Sequence, residues 1–331
     1  MNVLFDVRMS EEMQEIYRNN LPSEFRLYFR QELDDSTLEE ILPNIEILIA
    51  YKVNKETLKK AKKLSHIQVP WTGVESLDFN LLKEFSYLTV SNSHSNSLAI
   101  AEHAVALFLA AAKRIVYSDR KMRNGDWIPR YEESNGVWIN QKILGVIGYG
   151  AIGKYVARIM KRGFNCTVYA IKRQIDEKSD PENLCDFLGT IDDLPKILRE
   201  SDLILVSLPL TNETRGLLGE KEMKLIKKTG ILVNISRGPI IDEKALFELL
   251  EQKSFVAGID TWYNYPPARD KTSSIFQNFA FQDLENIIMT PHAAFKVAER
   301  EKIFSEDIIN NLIRIYQGKE PLNQLNLILG Y

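Results

Sequence analysis

The segment KILGVIGYGAIGK, residues 142–154, decides the fold of this 331-residue chain. An apolar run leads into Gly148, Gly150 and Gly153, and a segment of helical periodicity follows. A strand, a glycine-rich turn and a helix in this order are typical of a dinucleotide-binding unit. The first glycine allows a tight turn, the second lets the backbone approach a pyrophosphate, and the third lets helix and strand pack closely.

A pyrophosphate is expected at the N-terminus of that helix, where free N–H groups and the helix dipole favour an anion. The alternative is a glycine-rich turn that binds no ligand. The strand and helix around the turn favour the first interpretation. We therefore predict that five consecutive residues contact a dinucleotide cofactor: Tyr149, Gly150, Ala151, Ile152 and Gly153.

The same strand–helix alternation extends in both directions from this turn, which predicts parallel sheets covered by helices. The predicted strands are 3–5, 46–50, 66–69, 87–91, 142–147, 166–170, 203–208, 230–235, 255–259 and 286–289. The predicted helices between them are 58–64, 79–85, 154–161, 194–200, 220–227 and 243–251.

Two longer helices complete the expected architecture. Leu98–Arg114 is rich in alanine and apolar on nearly every face, which predicts a buried helix. Val297–Tyr316 is a final helix that we expect to return to the first domain. The predicted fold is α/β, with two doubly wound parallel-sheet domains. A Rossmann dinucleotide-binding domain, residues 98–294, is expected to be inserted in a flavodoxin-like substrate domain, residues 1–97 plus 295–331.

Composition excludes several classes of protein. The net charge of -3 gives no basic excess for nucleic acid or an anionic membrane. Cys166 and Cys185 are the only cysteines and form no CxxC motif, so we expect neither a disulfide framework nor a metal site. The N-terminus has no apolar signal-peptide region, and Leu98–Ala112 is too short and too charged to cross a bilayer. A cytoplasmic protein is expected.

The identity of the cofactor depends on the residues after the second strand of the Rossmann domain. An acid there bonds the ribose hydroxyls of NAD. Here the strand leads through Ala170 to Lys172 and Arg173, which offer partners to a 2′-phosphate. This pattern favours NADP(H), with NAD(H) possible. The alternative is that the two cations form only a solvated turn.

Polar side chains follow three further strands of this domain. Arg237, Asp260 and His292 each come directly after, or within a few residues of, an apolar run. Ligands of doubly wound sheets bind beyond the carboxyl ends of the strands, so these side chains are expected to converge there. An arginine can hold a carboxylate bidentately, a histidine can exchange a proton with an alkoxide, and an aspartate can orient a nicotinamide amide. The pattern suits reduction of a 2-oxo acid.

At this point the sequence resembles the D-isomer-specific 2-hydroxyacid dehydrogenase family over nearly its whole length. The resemblance rests on several motifs in the order typical of the family, which makes it specific. These are residues 73–78, Asn96 with Ala101-Glu102, 148–153, 209–211 with Thr214, 234–238 with Asp242, 258–260 and 290–292.

The resemblance implies roles for individual residues. Arg237 would be the catalytic, substrate-binding arginine and His292 the acid/base. The backbone of Trp71, Thr72 and Gly73 would hold the substrate carboxylate, with Asn96 nearby, and the protein would be a homodimer. Additional cofactor contacts are expected from Leu208, Pro209, Thr214, Ile235, Ser236, Arg237, Asp260 and His292.

One departure from the family pattern affects the catalytic residues. The family places a glutamate shortly after the Gly-Ile-Asp motif, where this chain has Tyr265. That carboxylate raises the pKa of the catalytic histidine and keeps the proton donor charged. A tyrosine can accept the ring N–H bond but holds the charge less well. We therefore expect reduction to fall off at lower pH than in relatives with the glutamate.

Three functions remain open on the sequence. The leading one is an NAD(P)-linked oxidoreductase that converts a small 2-oxo acid into a D-2-hydroxy acid. The second is a weakly active or non-catalytic dinucleotide-binding regulator, which Tyr265 motivates. The third is another enzyme with a mid-chain Rossmann motif, resembling alanine dehydrogenase. The pair Arg237 and His292 favours the first.

Overall fold

A computed structural model describes residues 1–133, 136–266 and 278–330. The chain divides into two compact units. Unit 1 contains Met1–Asn96 and the residues from Lys296 onward, and unit 2 is Ser97–Phe295. Pro267 and Tyr331, which belong to segments considered above, lie outside the described residues.

The described strands and helices alternate through most of the chain. The strands are β1 Asn2–Phe5, β2 Arg26–Phe29, β3 Ile47–Ile49, β4 His66–Gln68, β5 Thr89–Ser91, β6 Ile143–Ile147, β7 Thr167–Ile171, β8 Phe187–Gly189, β9 Leu203–Val206, β10 Ile231–Asn234, β11 Val256–Ile259 and β12 Ile287–Met289. The helices are α1 Glu11–Asn20, α2 Asp35–Ile41, α3 Lys55–Lys60, α4 Phe79–Lys83, α5 Ser97–Ala112, α6 Ile115–Arg123, α7 Ile128–Tyr131, α8 Ala151–Phe164, α9 Leu194–Glu200, α10 Glu220–Met223, α11 Glu243–Glu251 and α12 Arg300–Tyr316.

Unit 1 has a five-stranded parallel sheet in the order β2-β1-β3-β4-β5. This is the flavodoxin-like order, as the fold prediction expected. Short polar residues begin its helices: Ser10, Asp34 and Asn54 each accept a backbone N–H of the first turn. The central strand β3 is entirely buried, because helices cover both faces of the sheet.

The last helix joins unit 1 through apolar and polar contacts. Ile308 and Leu312 of α12 belong to the apolar cluster of β1 and α1. Asn311 is buried and donates to the Gln68 side chain at 2.7 Å. The side-chain oxygen of Asn311 accepts the Leu322 N–H at 2.6 Å. The side-chain amide of Asn311 thus connects α12 to β4 and to the segment that follows α12.

A buried histidine should make the stability of unit 1 depend on pH. His66 is 1% exposed, and its Nδ1 lies 2.8 Å from Thr89 Oγ1. Burial disfavours the imidazolium and lowers the pKa of His66 from 6.5 to about 4. The unfolded chain therefore binds the proton first as the pH falls below 6.5, and the folded state loses about 2 kcal/mol by about pH 5.

Urea unfolding at neutral pH and at about pH 5 measures this loss. His66→Asn keeps an amide at the Nδ1 position and removes the titrating group. We expect it to recover most of the loss relative to wild type. Equal pH dependence in both proteins would contradict the assignment to His66.

Unit 2 has a seven-stranded parallel sheet in the order β8-β7-β6-β9-β10-β11-β12. With β6 as its first strand, this is the Rossmann order with one additional strand. One face packs against α5 and α8, whose apolar cluster includes Phe108 and Val156. The other face packs against α9, α10 and α11 through a second cluster that includes Leu198 and Leu246. Both domains are thus doubly wound α/β sheets, which confirms the predicted fold class.

The differences from the predicted elements concern weak apolar patterns. The strands β2 and β8 were not predicted, because each is short and only one residue of each is buried. The helices α1, α2, α6 and α7 were not predicted either, since at most two residues of each are buried. The helix α5 is less enclosed than its composition suggested: Leu98, Glu102 and Ala106 are exposed along one side.

Candidate active site

The carboxyl ends of the unit 2 strands form one edge of the sheet. In the parallel register, Asn234 pairs with Ile259, and Ile259 pairs with Met289. The residues that directly follow these strands, such as Ser236, Asp260 and Thr290, therefore leave the sheet at the same edge. Ile147 of β6 pairs with Val206 of β9, so the glycine turn lies at this edge as well. Because ligands of such sheets bind at this edge, it is the candidate site.

The glycine turn has the geometry that a dinucleotide requires. Gly148 has φ +104°, and a Cβ there would lie 2.6 Å from the carbonyl oxygen of Ser207. A Cβ on Gly153 would lie 2.5 Å from the carbonyl oxygen of Gly148. A Cβ on Gly150 would meet no atom within 4 Å, so the space beside the N-terminus of α8 is open. Two glycines thus serve packing, and the third leaves room for a pyrophosphate.

The side chain of Tyr149 turns away from this space. It is 1% exposed and belongs to the apolar cluster below the sheet. Its hydroxyl donates to Asp180 at 2.8 Å. The N–H of Tyr149 also donates within the domain, to the Ile171 carbonyl at 3.0 Å. Ala151 and Ile152 begin α8 and are partly exposed.

The two basic residues after β7 are already engaged with neighbouring groups. Lys172 Nζ donates to Ser179 at 3.1 Å. Arg173 forms an ion pair of 2.8 Å with Glu213, whose side chain is 67% exposed. Both cations lie at the strand end where a ribose is bound in Rossmann domains. Lys172 is partly exposed and Arg173 is exposed, so neither cation is enclosed.

The loop after β9 is organised by Thr214. Its hydroxyl donates to the Pro209 carbonyl at 2.7 Å and accepts the Thr211 N–H at 2.8 Å. This pair of bonds fixes the turn that contains Pro209 and follows the partly exposed Leu208. The loop lies at the same sheet edge as the glycine turn, because Val206 pairs with Ile147.

Arg237 is held by a buried turn after β10. The Asn234 side chain accepts the Ser236 N–H at 3.0 Å and donates to the Arg237 carbonyl at 3.1 Å. Ile235 and Ser236 are buried, whereas Arg237 is partly exposed. A Cβ on Gly238 would lie 2.5 Å from the backbone of Trp262, so the chain after Arg237 needs glycine. Sequence analysis identified Arg237 but not the role of Asn234.

Asp260 is a buried carboxylate that binds the segment containing His292. It is 0% exposed, and its Oδ1 accepts from Thr290 Oγ1 at 2.6 Å and from Ala293 N–H at 2.9 Å. Oδ2 accepts the Ala294 N–H at 3.2 Å. Burial raises the pKa of Asp260, but the hydrogen bonds outweigh burial and lower it to about 2, so the carboxylate is charged.

His292 lies between Thr290 and Ala293, both of which are hydrogen-bonded to Asp260. It is partly exposed and has φ +53°, in the left-handed region that side chains other than glycine rarely adopt. Phe295 lies near its ring, with centroids 5.9 Å apart. The contacts of Asp260 with the same segment support this backbone.

Tyr265 is also close to His292. The ring centroids of Tyr265 and His292 are 5.5 Å apart and inclined by 42°. The hydroxyl of Tyr265 accepts the Trp262 N–H at 3.1 Å, and the side chain is 50% exposed. The residue in the family's glutamate position is thus beside the imidazole, as the alignment of motifs suggested.

The predicted substrate residues of unit 1 form a hydrogen-bonded loop after β4. Thr72 Oγ1 contacts Asn96 Oδ1 at 3.2 Å and donates to the Ser93 carbonyl at 2.9 Å. Asn96 is buried, whereas Thr72 and Gly73 are partly exposed. Trp71 is 40% exposed, and its ring centroid lies 5.2 Å from that of Tyr51.

Together the fold and the strand-edge residues define a two-domain dinucleotide-binding oxidoreductase. The family model described as D-isomer specific 2-hydroxyacid dehydrogenase, NAD binding domain, matches residues 105–294. The chain belongs to this family. It is therefore an enzyme that transfers hydride between a nicotinamide dinucleotide and a small 2-oxo or 2-hydroxy acid, as the leading prediction stated. The non-catalytic regulator is not supported.

Individual relatives are similar along most of the chain. A glyoxylate reductase of Pyrococcus furiosus is 27% identical over 320 residues, which are 93% of this chain and 91% of the relative. A D-3-phosphoglycerate dehydrogenase of Methanocaldococcus jannaschii is 29% identical over 301 residues, which are 88% of this chain and 54% of the relative. This chain thus spans about half the length of that relative. An acyclic imino acid reductase, solved in complex with NADPH and D-Arg, is 25% identical, with a TM-score of 0.74 and coverage of 98% and 100%.

In the ranges 1–133, 136–266 and 278–330, no helix combines the length and apolar character that a bilayer crossing requires.

Proposed function

We propose that this enzyme reduces a small 2-oxo acid to the D-2-hydroxy acid with NADP(H), using Arg237 and His292. The observation that carries the proposal is that Arg237 follows β10 and His292 follows β12, the two strands on either side of β11, at the edge where the glycine turn opens. The reduced cofactor supplies a hydride to the substrate carbonyl carbon. The protein then has to hold the substrate carboxylate and donate a proton to the oxygen.

Arg237 would bind the substrate carboxylate and polarise the adjacent carbonyl. A guanidinium forms two parallel hydrogen bonds with a carboxylate, which fixes the orientation of the substrate as well as its position. The turn held by Asn234 supports this role, because it fixes the backbone from which the arginine extends.

His292 would donate its proton to the alkoxide that forms as hydride arrives, and would accept it in the oxidative direction. Asp260 would orient the nicotinamide amide from the base of the site. Its carboxylate accepts from Thr290, Ala293 and Ala294. Because the carboxylate is fully buried, it would act on the amide through the segment that it holds.

In unit 1, the main chain at Trp71–Gly73 would bind the substrate carboxylate. The hydrogen bonds of the Thr72 hydroxyl with Ser93 and Asn96 favour a rigid loop that can present backbone N–H groups. The exposed ring of Trp71 would border the substrate side chain, and Tyr51 limits how far that ring can move.

The cofactor preference depends on Lys172 and Arg173. Replacing both by methionine should raise the KM for NADPH at least about tenfold, because hydrogen bonds to a charged phosphate stabilise by about 1.5–3 kcal/mol. The KM for NADH should change less than about threefold, since NADH has no 2′-phosphate to contact. Steady-state kinetics with both cofactors measure the two constants.

Lys178→Met is the matched control, because Lys178 is an exposed lysine on the same segment. It should leave both constants unchanged. A wild-type enzyme that prefers NADH, or a double variant that loses NADPH and NADH equally, would contradict the NADP assignment.

Tyr265 should set the pH range of reduction. In Tyr265→Glu, a carboxylate beside the imidazole should raise the pKa of His292, so that the proton donor persists to higher pH. We expect the alkaline limb of the pH–rate profile for reduction to move up by roughly one pH unit. Tyr265→Gln is the neutral control, and an unchanged limb in Tyr265→Glu would contradict the expectation.

A second copy of the chain would cover an apolar part of unit 2. The segment 115–138 combines α6, α7 and the residues around them, and its large apolar side chains are unusually exposed. They are Ile115 at 53%, Met122 at 44%, Trp127 at 57%, Ile128 at 53%, Tyr131 at 78% and Trp138 at 72%. Such a concentration favours an interface, and we propose a cytoplasmic homodimer. Sedimentation equilibrium of the purified chain tests the dimer.

One assay tests the proposed reaction as a whole. NADPH oxidation would be followed with glyoxylate, hydroxypyruvate, pyruvate and bulkier 2-oxo acids, and the product would be examined by chiral chromatography. The D-hydroxy acid is the expected product. Absence of turnover with every acid, although NADPH still binds, would contradict the proposal.

A further inference from the structure

A chain of hydrogen bonds connects helix α5 to the segment that contains His292. His103 Nε2 lies 3.1 Å from Thr290 Oγ1 and 3.5 Å from Asp260 Oδ1. Thr290 Oγ1 in turn lies 2.6 Å from Asp260 Oδ1. The side chain of His103 is 24% exposed, whereas that of Asp260 is fully buried. The sequence predicts only that the helix Leu98–Arg114 is buried, so this connection was not anticipated.

The direction of each hydrogen bond in the chain can be deduced. An ionised carboxylate only accepts, so the single hydroxyl hydrogen of Thr290 is donated to Asp260. At the other contact the hydroxyl oxygen is then the acceptor, and His103 must donate from Nε2. The proton of His103 is thereby assigned to Nε2, and the order is His103 to Thr290 to Asp260.

The carboxylate at the end of this chain supports the backbone of His292. The two N–H groups that follow His292, those of Ala293 and Ala294, both donate to Asp260. The left-handed backbone of His292 is unfavourable for a residue with a Cβ, so neighbouring contacts must offset its cost. Any rotation of Asp260 would move both N–H groups and would change the direction of the imidazole.

We propose that His103 is a positioning residue for His292 and acts through Thr290 and Asp260. Its Nε2–H orients the Thr290 hydroxyl, which orients the Asp260 carboxylate, which holds the His292 backbone. The inference rests on the proposed acid/base role of His292. It adds His103 of helix α5, which would act on His292 without touching the substrate or the reacting atoms.

Two substitutions of His103 test this chain of contacts. Glutamine carries an amide N–H at the same number of bonds from Cα as Nε2, whereas asparagine carries it at the Nδ1 position. We expect His103→Gln to keep kcat within about threefold of wild type, and His103→Asn to lower kcat at least about tenfold. In both variants the Kd for NADPH should change less than kcat, because Asp260 is only one of the groups proposed to act on the cofactor.

A spectroscopic measurement separates positioning from a general loss of structure. The chain has only four histidines, so the imidazole ¹H–¹⁵N spectrum of the full chain without cofactor can be assigned by single substitutions. In His103→Asn the His292 signals should shift or broaden, and in His103→Gln they should remain. The signals of His66 and His94, both in unit 1, should be unchanged and serve as internal controls.

Thr290 provides a second test should the His103 variants fold poorly. Thr290→Ser keeps the hydroxyl and should behave like wild type, whereas Thr290→Val removes it and should resemble His103→Asn in kcat and in the His292 signals. Wild-type kcat with unshifted His292 signals in His103→Asn would overturn the inference. Equal damage in His103→Gln and His103→Asn, with all histidine signals altered, would overturn it as well. Failure of the proposed function is a different result: His292→Asn would then retain activity.

Discussion

We expect His292→Asn to lower kcat by about 10³-fold at neutral pH, with little change in NADPH binding. Asparagine is the informative replacement, because it tolerates the left-handed backbone that His292 adopts at φ +53°. The variant therefore removes the proton donor without straining the turn. General acid–base groups contribute about 10²–10⁴-fold, and the alkoxide formed in the proposed reduction has to be protonated.

The measurement is a single-turnover rate of NADPH oxidation over a range of pH. In wild type we expect one alkaline limb for reduction, which corresponds to loss of the imidazolium. That limb should be absent in His292→Asn. Retention of the limb together with near wild-type rates would assign the proton donor to another group.

Arg237→Met lowers kcat/KM on the order of 10³-fold, with much of the loss in KM. The substitution keeps an unbranched side chain but removes the group that holds the substrate carboxylate and polarises the carbonyl. Arg237→Lys keeps the charge and loses the planar pair of donors, so we expect an intermediate loss of about 10²-fold. The difference in kcat/KM between the two variants distinguishes bidentate binding from simple charge attraction.

The control for this series is Arg199→Met, since Arg199 is an exposed arginine on the surface of α9. It should leave all kinetic constants unchanged. Initial rates with saturating NADPH give kcat and KM for the 2-oxo acid. An Arg237→Met enzyme with unchanged KM and a changed affinity for NADPH would place Arg237 in cofactor binding.

The sequence predicted the fold through its strongest local signals. The apolar runs that became β6, β9 and β10 are buried on both faces, so their residues are almost uniformly apolar and easily recognised. Edge strands such as β2 and β8 have mixed patterns, because one side faces solvent. Local periodicity therefore identified the centre of each sheet better than its edges.

The sequence predicted candidate site residues only where a polar or charged side chain follows an apolar strand. Arg237, Asp260 and His292 were found because polar residues directly after apolar runs are conspicuous. The contact between His103 and Thr290 spans 187 positions, and helix α5 shows no local pattern that marks one histidine as its partner. Such contacts depend on how elements pack, which a single sequence does not display.

Burial of Tyr149 illustrates the same limit. Its position inside the glycine motif suggested a cofactor contact, yet its ring completes an apolar cluster and its hydroxyl bonds Asp180. The motif specifies backbone geometry through its glycines. It contains no information on which way the intervening side chain turns.

Because unit 1 combines both ends of the chain, its completion must wait during synthesis. Roughly 200 residues separate Asn96 from Lys296, and translation at about 5–20 residues per second takes about 10–40 s to cross them. Throughout this delay the apolar surface around Phe5 and Tyr17 lacks Ile308 and Leu312. Unit 2 is continuous and can fold as it emerges from the ribosome. The nascent N-terminal segment is thus the part of this enzyme most exposed to aggregation and to chaperone binding.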